Sequence, residues 1–201
     1  MQTLHRIDRA LGALAAVTFV ASVVGFGAAL PGYEALRHPV ALLGASGVPH
    51  AQAFSWLGFV VPGLLTSVVA VRLLLRVPPT SPWTVRVGVQ LLVLAGFGLA
   101  AMGLLPLDAS DIQNRASQFH ASAWMVWVLA FVPGTVMYGL GALRVPGWRA
   151  SALLHLGCGV AMVLAAFVLQ AWMPAPLAQR LAFGCWLVWL VAALPTAHPR
   201  R

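Results

Sequence analysis

The sequence predicts an all-α, single-domain integral membrane protein, a polytopic six-helix bundle built from three outward-facing helical hairpins. Composition comes first. Hydrophobic residues make up 61% of the 201-residue chain and charged residues only 8%, against about 25% charged in an ordinary soluble domain. Mean hydropathy is +0.89. The spacing of the charges is the second observation. Residues 10–33, 38–71, 87–107, 116–143, 150–179 and 181–199 contain no Asp, Glu, Lys or Arg, and the shortest of these six runs has 19 residues. A helix needs about 20 apolar residues to cross a hydrocarbon core about 30 Å thick. So few charges cannot cover a soluble surface, and so apolar a chain cannot stay disordered.

The apolar residues are continuous rather than alternating, which selects helices over barrel strands. The expected spans lie near 11–30, 54–72, 87–105, 121–142, 151–172 and 178–194. The first begins after Arg6 and Arg9 and has small residues at Gly27-Ala28-Ala29, as a signal peptide does. It is longer than the usual 7–15-residue signal core, so an uncleaved span is expected. The first, third and fifth spans end at Leu30-Pro31, Leu105-Pro106 and Met173-Pro174, where proline removes a donor and restricts the preceding residue. The second and fourth carry Pro62-Gly63 and Pro133-Gly134, which should kink them. This recurrence suggests parallel hairpin repeats, although proline at helix ends is common in any bundle. Gly96, Ala100, Gly103, Gly139, Gly157 and Ala161 are small enough for close helix approach.

Arginine supplies all twelve basic residues. Nine of them (Arg6, Arg9, Arg72, Arg76, Arg86, Arg144, Arg149, Arg200, Arg201) fall on one side of the expected topology, and Arg37, Arg115 and Arg180 on the other. The positive-inside rule then puts both termini in the cytoplasm, with the bacterial inner membrane as the expected location. Trp56, Trp124, Trp127 and Trp172 sit near outer helix ends, and Trp83 and Trp148 near inner ones, as in two aromatic belts. The arginines are scattered over short loops, so nucleic acid is not an expected partner despite a net charge of +8; membrane lipid is. Cys158 and Cys185 lie within apolar runs and read as core residues rather than a disulfide.

The polar residues concentrate in two outer connections. The first contains Tyr33, Glu34, Arg37, His38 and His50; the second contains Asp108, Asp111, Asn114, Arg115 and His120. Two chemistries fit. Asp108, His120 and His38 or His50 could hold a zinc ion with an open position for water, or Asp108 could orient His120 as a general base. Glu34 is a third catalytic candidate. Tyr33, Arg37, His38, His50, Asp111, Arg115 and Arg180 are candidate ligand-binding residues. None of the common hydrolase or zinc motifs is present, and no cofactor is expected beyond that zinc. The structural account of the same residues is simpler. Asp111 and Arg115 have the i,i+4 spacing of an ion pair, Asp108 or Ser110 could cap a helix, and Glu34 could pair with Arg37 or His38. His155 lies inside the fifth span, where an ionisable group is a candidate functional residue or bonds to a neighbouring carbonyl. It is too deep to share a haem iron with His120. His5 and His198 join the interfacial charge near the termini.

Pro31-Gly32-Tyr33 with Leu43-Gly44, Gly58-Phe59 and Gly63-Leu64-Leu65, then Leu105-Pro106-Leu107-Asp108 with Phe119-His120, and Gln179-Arg180-Leu181 with Trp186 and Trp189 resemble the multipass membrane family catalogued as domain of unknown function 998. The resemblance covers nearly the whole chain and implies six membrane helices with unassigned biochemistry. Its motif positions here are Tyr33, Gly44, Pro106, Asp108, His120 and Arg180. The family often has Ser-Glu before Leu-Gly in the first outer loop; this chain has Ala41-Leu42. If that pair carries an activity in relatives, this chain lacks it or uses Glu34 instead. Three functions follow: a module whose outer loops bind a lipid or partner, a membrane-embedded hydrolase or transferase with an outer Asp/His centre, and a small transporter. The transporter has least support, because the middle of the spans offers mainly Thr66, Ser67, Thr135 and the Pro-Gly breaks.

Overall fold

A computed structural model describes residues 2–197. His198, Arg200 and Arg201 lie outside the described residues, as do the side chains of His5, Arg6 and Arg9. Among the described residues, six helices are long and apolar enough to cross a membrane: α1 (Gln2–Ala29, of which Ala10–Ala29 is the apolar span), α2 (Ala51–Leu74), α3 (Trp83–Leu104), α4 (Arg115–Ala142), α5 (Arg149–Ala171) and α6 (Ala175–Thr196). The secondary structure of the described residues is all helical, and the charge-free runs located every span. Between the apolar spans, the largest difference is at α4, which starts at Arg115 rather than near 121. Asn114 sets that start: its side-chain oxygen accepts from the Ser117 amide at 2.8 Å, and an N-cap of this kind lets polar residues begin a helix before the apolar run does.

Neighbours in sequence are neighbours in space. α2 packs on α3, α3 most extensively on α4, α4 on α5, α5 on α6, and α1 closes the ring against α6 and α2. The 30–50, 105–114 and 172–174 connections share one end of the bundle, called here the loop end. The other is the terminal end.

The Pro-Gly pairs mark crossings. A Cβ on Gly63 would lie 2.4 Å from the Ala100 amide nitrogen and 2.7 Å from the Gly96 carbonyl oxygen. One on Gly88 would lie 2.6 Å from the Tyr138 amide nitrogen and 2.7 Å from the Gly134 carbonyl oxygen. These backbones meet only because the side chains are absent, as close packing in lipid requires. Ahead of Pro62, α2 runs through a π turn at Ser55–Val60, whereas α4 passes Pro133 as a continuous helix. Gly96, Gly103 and Gly139 are contact residues as expected, but Gly157 faces open space. The mid-span hydroxyls are engaged: Thr66 donates to Pro62 O at 2.8 Å, Thr135 to Phe131 O at 2.9 Å, and Ser67 bridges to Val93 O of α3 at 3.0 Å.

Two tryptophans leave the expected belts. Trp127 is fully buried and stacks on Phe183 with ring centroids 5.0 Å apart, and Trp148 is buried beside Tyr138. Their helix faces and turn point them inward. Trp56, Trp83 and Trp172 are exposed, as belt residues are.

The terminal end holds a feature the loop counts did not reveal. Asp8 of α1 is 3% exposed and forms ion pairs with Arg72 and Arg76 at the end of α2, while Arg76 also donates to Leu194 O of α6 at 2.6 Å. One carboxylate thus joins α1 to α2, and an arginine extends the join to α6. Nearby, Tyr138 and Ser151 share a 2.9 Å hydrogen bond. His155 is fully buried, stacked 3.8 Å from the Tyr138 ring, with Nδ1 2.7 Å from Ser151 O of its own helix. The carbonyl can only accept, so Nδ1 carries the proton.

Candidate functional site

The loop end is a fastened cap. After α1 the chain turns at Gly32, whose φ of +77° suits glycine. It then runs to a 3-10 turn at Val40–Gly44 and returns into α2 at His50. Two ties hold this loop down. The Ser46 amide donates to Leu107 O at 2.8 Å, which binds the first connection to the second. Arg180 of α6 donates from Nη1 to His38 O at 2.9 Å and from Nη2 to the Tyr33 hydroxyl at 2.7 Å. Burial pushes the Tyr33 hydroxyl pKa up, and Arg180 offsets part of that shift. The phenol stays neutral and accepts the guanidinium bond. The resemblance singled out Tyr33 and Arg180 separately; here they are partners.

Replacing Arg180 removes both bonds. A hydrogen bond involving a charged group contributes about 1.5–3 kcal/mol, so Arg180→Ala should loosen the first connection while leaving the helices in place. Limited proteolysis is expected to cleave within 33–50 several times faster than in the parent. Unchanged cleavage would show that Arg180 does not hold the loop.

The second connection is ordered around Asp108. Its carboxylate accepts from the Ser110 amide at 2.9 Å, the Ser110 hydroxyl at 2.6 Å and the Asn114 side chain at 2.8 Å. These bonds, led by the Ser110 hydroxyl, hold the Asp108 carboxyl below the usual carboxylate range. The helix cap is Asn114, not Asp108 or Ser110. Asp111 accepts from the Gln113 amide at 2.9 Å, and no ion pair to Arg115 forms among the described residues. The i,i+4 expectation fails because Asp111 precedes the N-cap and so lies outside the helix. Arg115 is exposed.

The remaining candidates are engaged separately. Glu34 pairs with Arg37 at 3.3 Å on an exposed surface, where such a pair contributes about 0–1 kcal/mol. His38 Nδ1 accepts from the Glu34 amide at 2.9 Å, and its ring stacks on Tyr33. His50 is exposed at a φ of 61°. Its left-handed backbone makes the turn into α2. Among the described residues, no group of three His, Cys, Asp or Glu side chains is placed to hold a metal ion, the expected set of Asp108, His120 and His38 or His50 included.

His120 is the candidate that faces a cavity. The cavity is about 220 Å³ and lies beneath the cap, where α2, α3, α4 and α6 meet. Pro39, Ala41 and Leu107 of the connections border it; Phe59, Trp124 and Phe183 supply aromatic surface. Among the described residues, His120 and Gln179 bring polar side chains to its lining, beside the amphipathic Trp124. His120 is nearly buried, and its Nδ1 lies 2.8 Å from Leu105 O. That carbonyl fixes the proton on Nδ1 and leaves Nε2 as an acceptor. Asp108, bound to Ser110 and Asn114, makes no bond to His120 among the described residues. Phe59, Gln179 and Phe183 are not among the site residues expected from sequence, although Phe59 and Gln179 stand within the motifs that carry the resemblance.

The fold and cavity define a polytopic helical membrane protein with a small, largely apolar pocket under its loop cap. The chain belongs to the family described as Protein of unknown function (DUF998), whose profile matches residues 13–194. No curated protein and no solved structure matches it.

Proposed function

We propose that this chain is a lipid-binding membrane module. It takes an apolar group with a small hydrogen-bonding head into the cavity beneath the loop cap. The observation that carries this reading is the lining itself: three aromatic rings and several aliphatic groups, with polar contact confined to His120 and Gln179. Ligand sites commonly combine an apolar wall with a few placed polar groups. His120 Nε2 can accept from a ligand hydroxyl or amine, and the Gln179 amide can donate or accept. Binding is favoured over hydrolysis because Asp108 is engaged with Ser110 and Asn114, and His120 is oriented by a carbonyl.

We also infer that the loop end faces away from the cytoplasm and that both termini are cytoplasmic, in a bacterial inner membrane. The support is the distribution of arginine, nine residues to three in favour of the terminal end.

The binding test uses purified protein and native mass spectrometry of lipid carried from the expression host. The parent should retain a lipid adduct. Ala41→Phe, which fills the cavity from the cap, should lose the part of that adduct held beneath the cap. His120→Phe should keep apolar lipid but lose selectivity for hydroxylated or amino head groups. An Ala41→Phe protein that folds and carries the parental load would contradict the proposal.

A further inference from the structure

A second cavity lies elsewhere, between α5 and α6. It is an apolar groove of about 680 Å³, within the size range of small-molecule sites. Leu153, Gly157 and Ala161 line it from α5, and Leu181, Gly184 and Val188 from α6. A Cβ on Gly157 or Gly184 would meet nothing within 4 Å, so these glycines leave space rather than close a helix crossing. Toward the loop end, a π turn at Leu164–Val168 interrupts the α-helical ladder of α5.

The charge at the other end of the groove identifies an occupant. Arg149 stands four residues before Leu153 and eight before Gly157 on α5, so all three share one helical face. Arg149 is exposed and forms no ion pair among the described residues. Arg144 is also exposed, five residues earlier in the short connection from α4. No acidic residue occurs after Asp111 in the sequence. Asp8, the acid at the terminal end, is already paired with Arg72 and Arg76. An apolar slot with a cation one helical turn beyond its Leu153 edge, on the side of the terminal end, matches a molecule with a long hydrocarbon chain and an anionic head. A symmetric second copy would bring its own Arg144 and Arg149 against these, and like charges facing each other oppose that contact.

We propose that the α5–α6 groove binds one acyl chain of an anionic glycerophospholipid from the leaflet at the terminal end, with its phosphate against Arg149 and Arg144. This site is separate from the cavity beneath the loop cap.

The test offers delipidated protein equal amounts of phosphatidylglycerol and phosphatidylcholine and reads adducts by native mass spectrometry. The parent should prefer phosphatidylglycerol. Each arginine is expected to contribute about fivefold, so Arg144→Gln/Arg149→Gln should bring the two lipids to parity. Gly157→Leu/Gly184→Leu fills the slot and should lower both adducts, whereas Ala41→Phe should leave this preference unchanged. Cys158 and Cys185 both line the groove and are the two cysteines of the chain, so phosphatidylglycerol should also slow their reaction with a maleimide. Equal binding of the two lipids by the parent, a preference that survives slot filling, or a dimer cross-linked through these cysteines would overturn the proposal.

Discussion

Asp8→Ala should be among the most destabilising single substitutions in this protein. The carboxylate is 3% exposed and pairs with both Arg72 and Arg76, so its removal leaves two guanidinium groups facing a space built for an anion. Breaking a buried ion pair from one side costs about 3–5 kcal/mol. The lower figure applies here, because the Arg72 and Arg76 side chains remain 29% and 18% exposed and water reaches them. A melting temperature roughly 10 °C lower follows, at a few degrees per kcal/mol for a chain of this size. The triple variant Asp8→Leu/Arg72→Met/Arg76→Met should recover part of the loss, since an apolar replacement of a buried ionic group is often close to neutral, while the Arg76 bond to Leu194 O is given up. Thermal melts in detergent measure both. Parental stability in Asp8→Ala would show that the cluster does not join α1 to α2.

The second large effect concerns glycine and should change sign with position. At Gly88, even one methyl group would sit 2.6 Å from the Tyr138 amide nitrogen and 2.7 Å from the Gly134 carbonyl oxygen. Both are backbone atoms, so no rotamer change relieves the overlap and α3 must move away from α4. Overpacking of this kind costs about 1–3 kcal/mol; the upper end is expected, because α3 and α4 form the most extensive contact in the bundle. Gly157→Ala and Gly184→Ala place their methyl groups where nothing lies within 4 Å. There the gain in helix propensity, about 1 kcal/mol for Gly to Ala, has nothing to oppose it. Gly88→Ala should therefore lower the melting temperature, and the other two should leave it unchanged or raise it. A Gly88→Ala protein as stable as Gly157→Ala would refute the α3–α4 crossing.

The spans were legible because membrane insertion is read from composition: a charge-free run near 20 residues long needs no tertiary information to become a helix. Helix faces were less legible. All six helices are apolar around most of their circumference, so periodicity could not show that Trp127 points inward and Trp56 outward, or that Gly157 borders a groove while Gly139 packs on Leu156. The site was half visible. Tyr33, His120 and Arg180 stand out as polar residues beside apolar runs. Their partners, the Leu105 and His38 carbonyls, are backbone groups that carry no side-chain signal. Asp8 pairs across more than sixty positions of sequence, a distance that no local spacing rule spans. Asp108 misled in the opposite direction: in the same outer connection as His120 it suggested acid–base chemistry, but its local sequence Asp-Ala-Ser directs the carboxylate to its own turn.

Six membrane crossings underlie every other conclusion, and single-cysteine accessibility tests them most directly. With Cys158 and Cys185 replaced by alanine, single cysteines at Ser46, Gln113, Ala175, Thr80 and Pro146 would be labelled with a membrane-impermeant maleimide in intact and in permeabilised bacterial cells. Positions 46, 113 and 175 should label in intact cells, and 80 and 146 only after permeabilisation. Labelling of 80 or 146 together with 46 in intact cells would contradict the alternation of sides on which the six-span account depends.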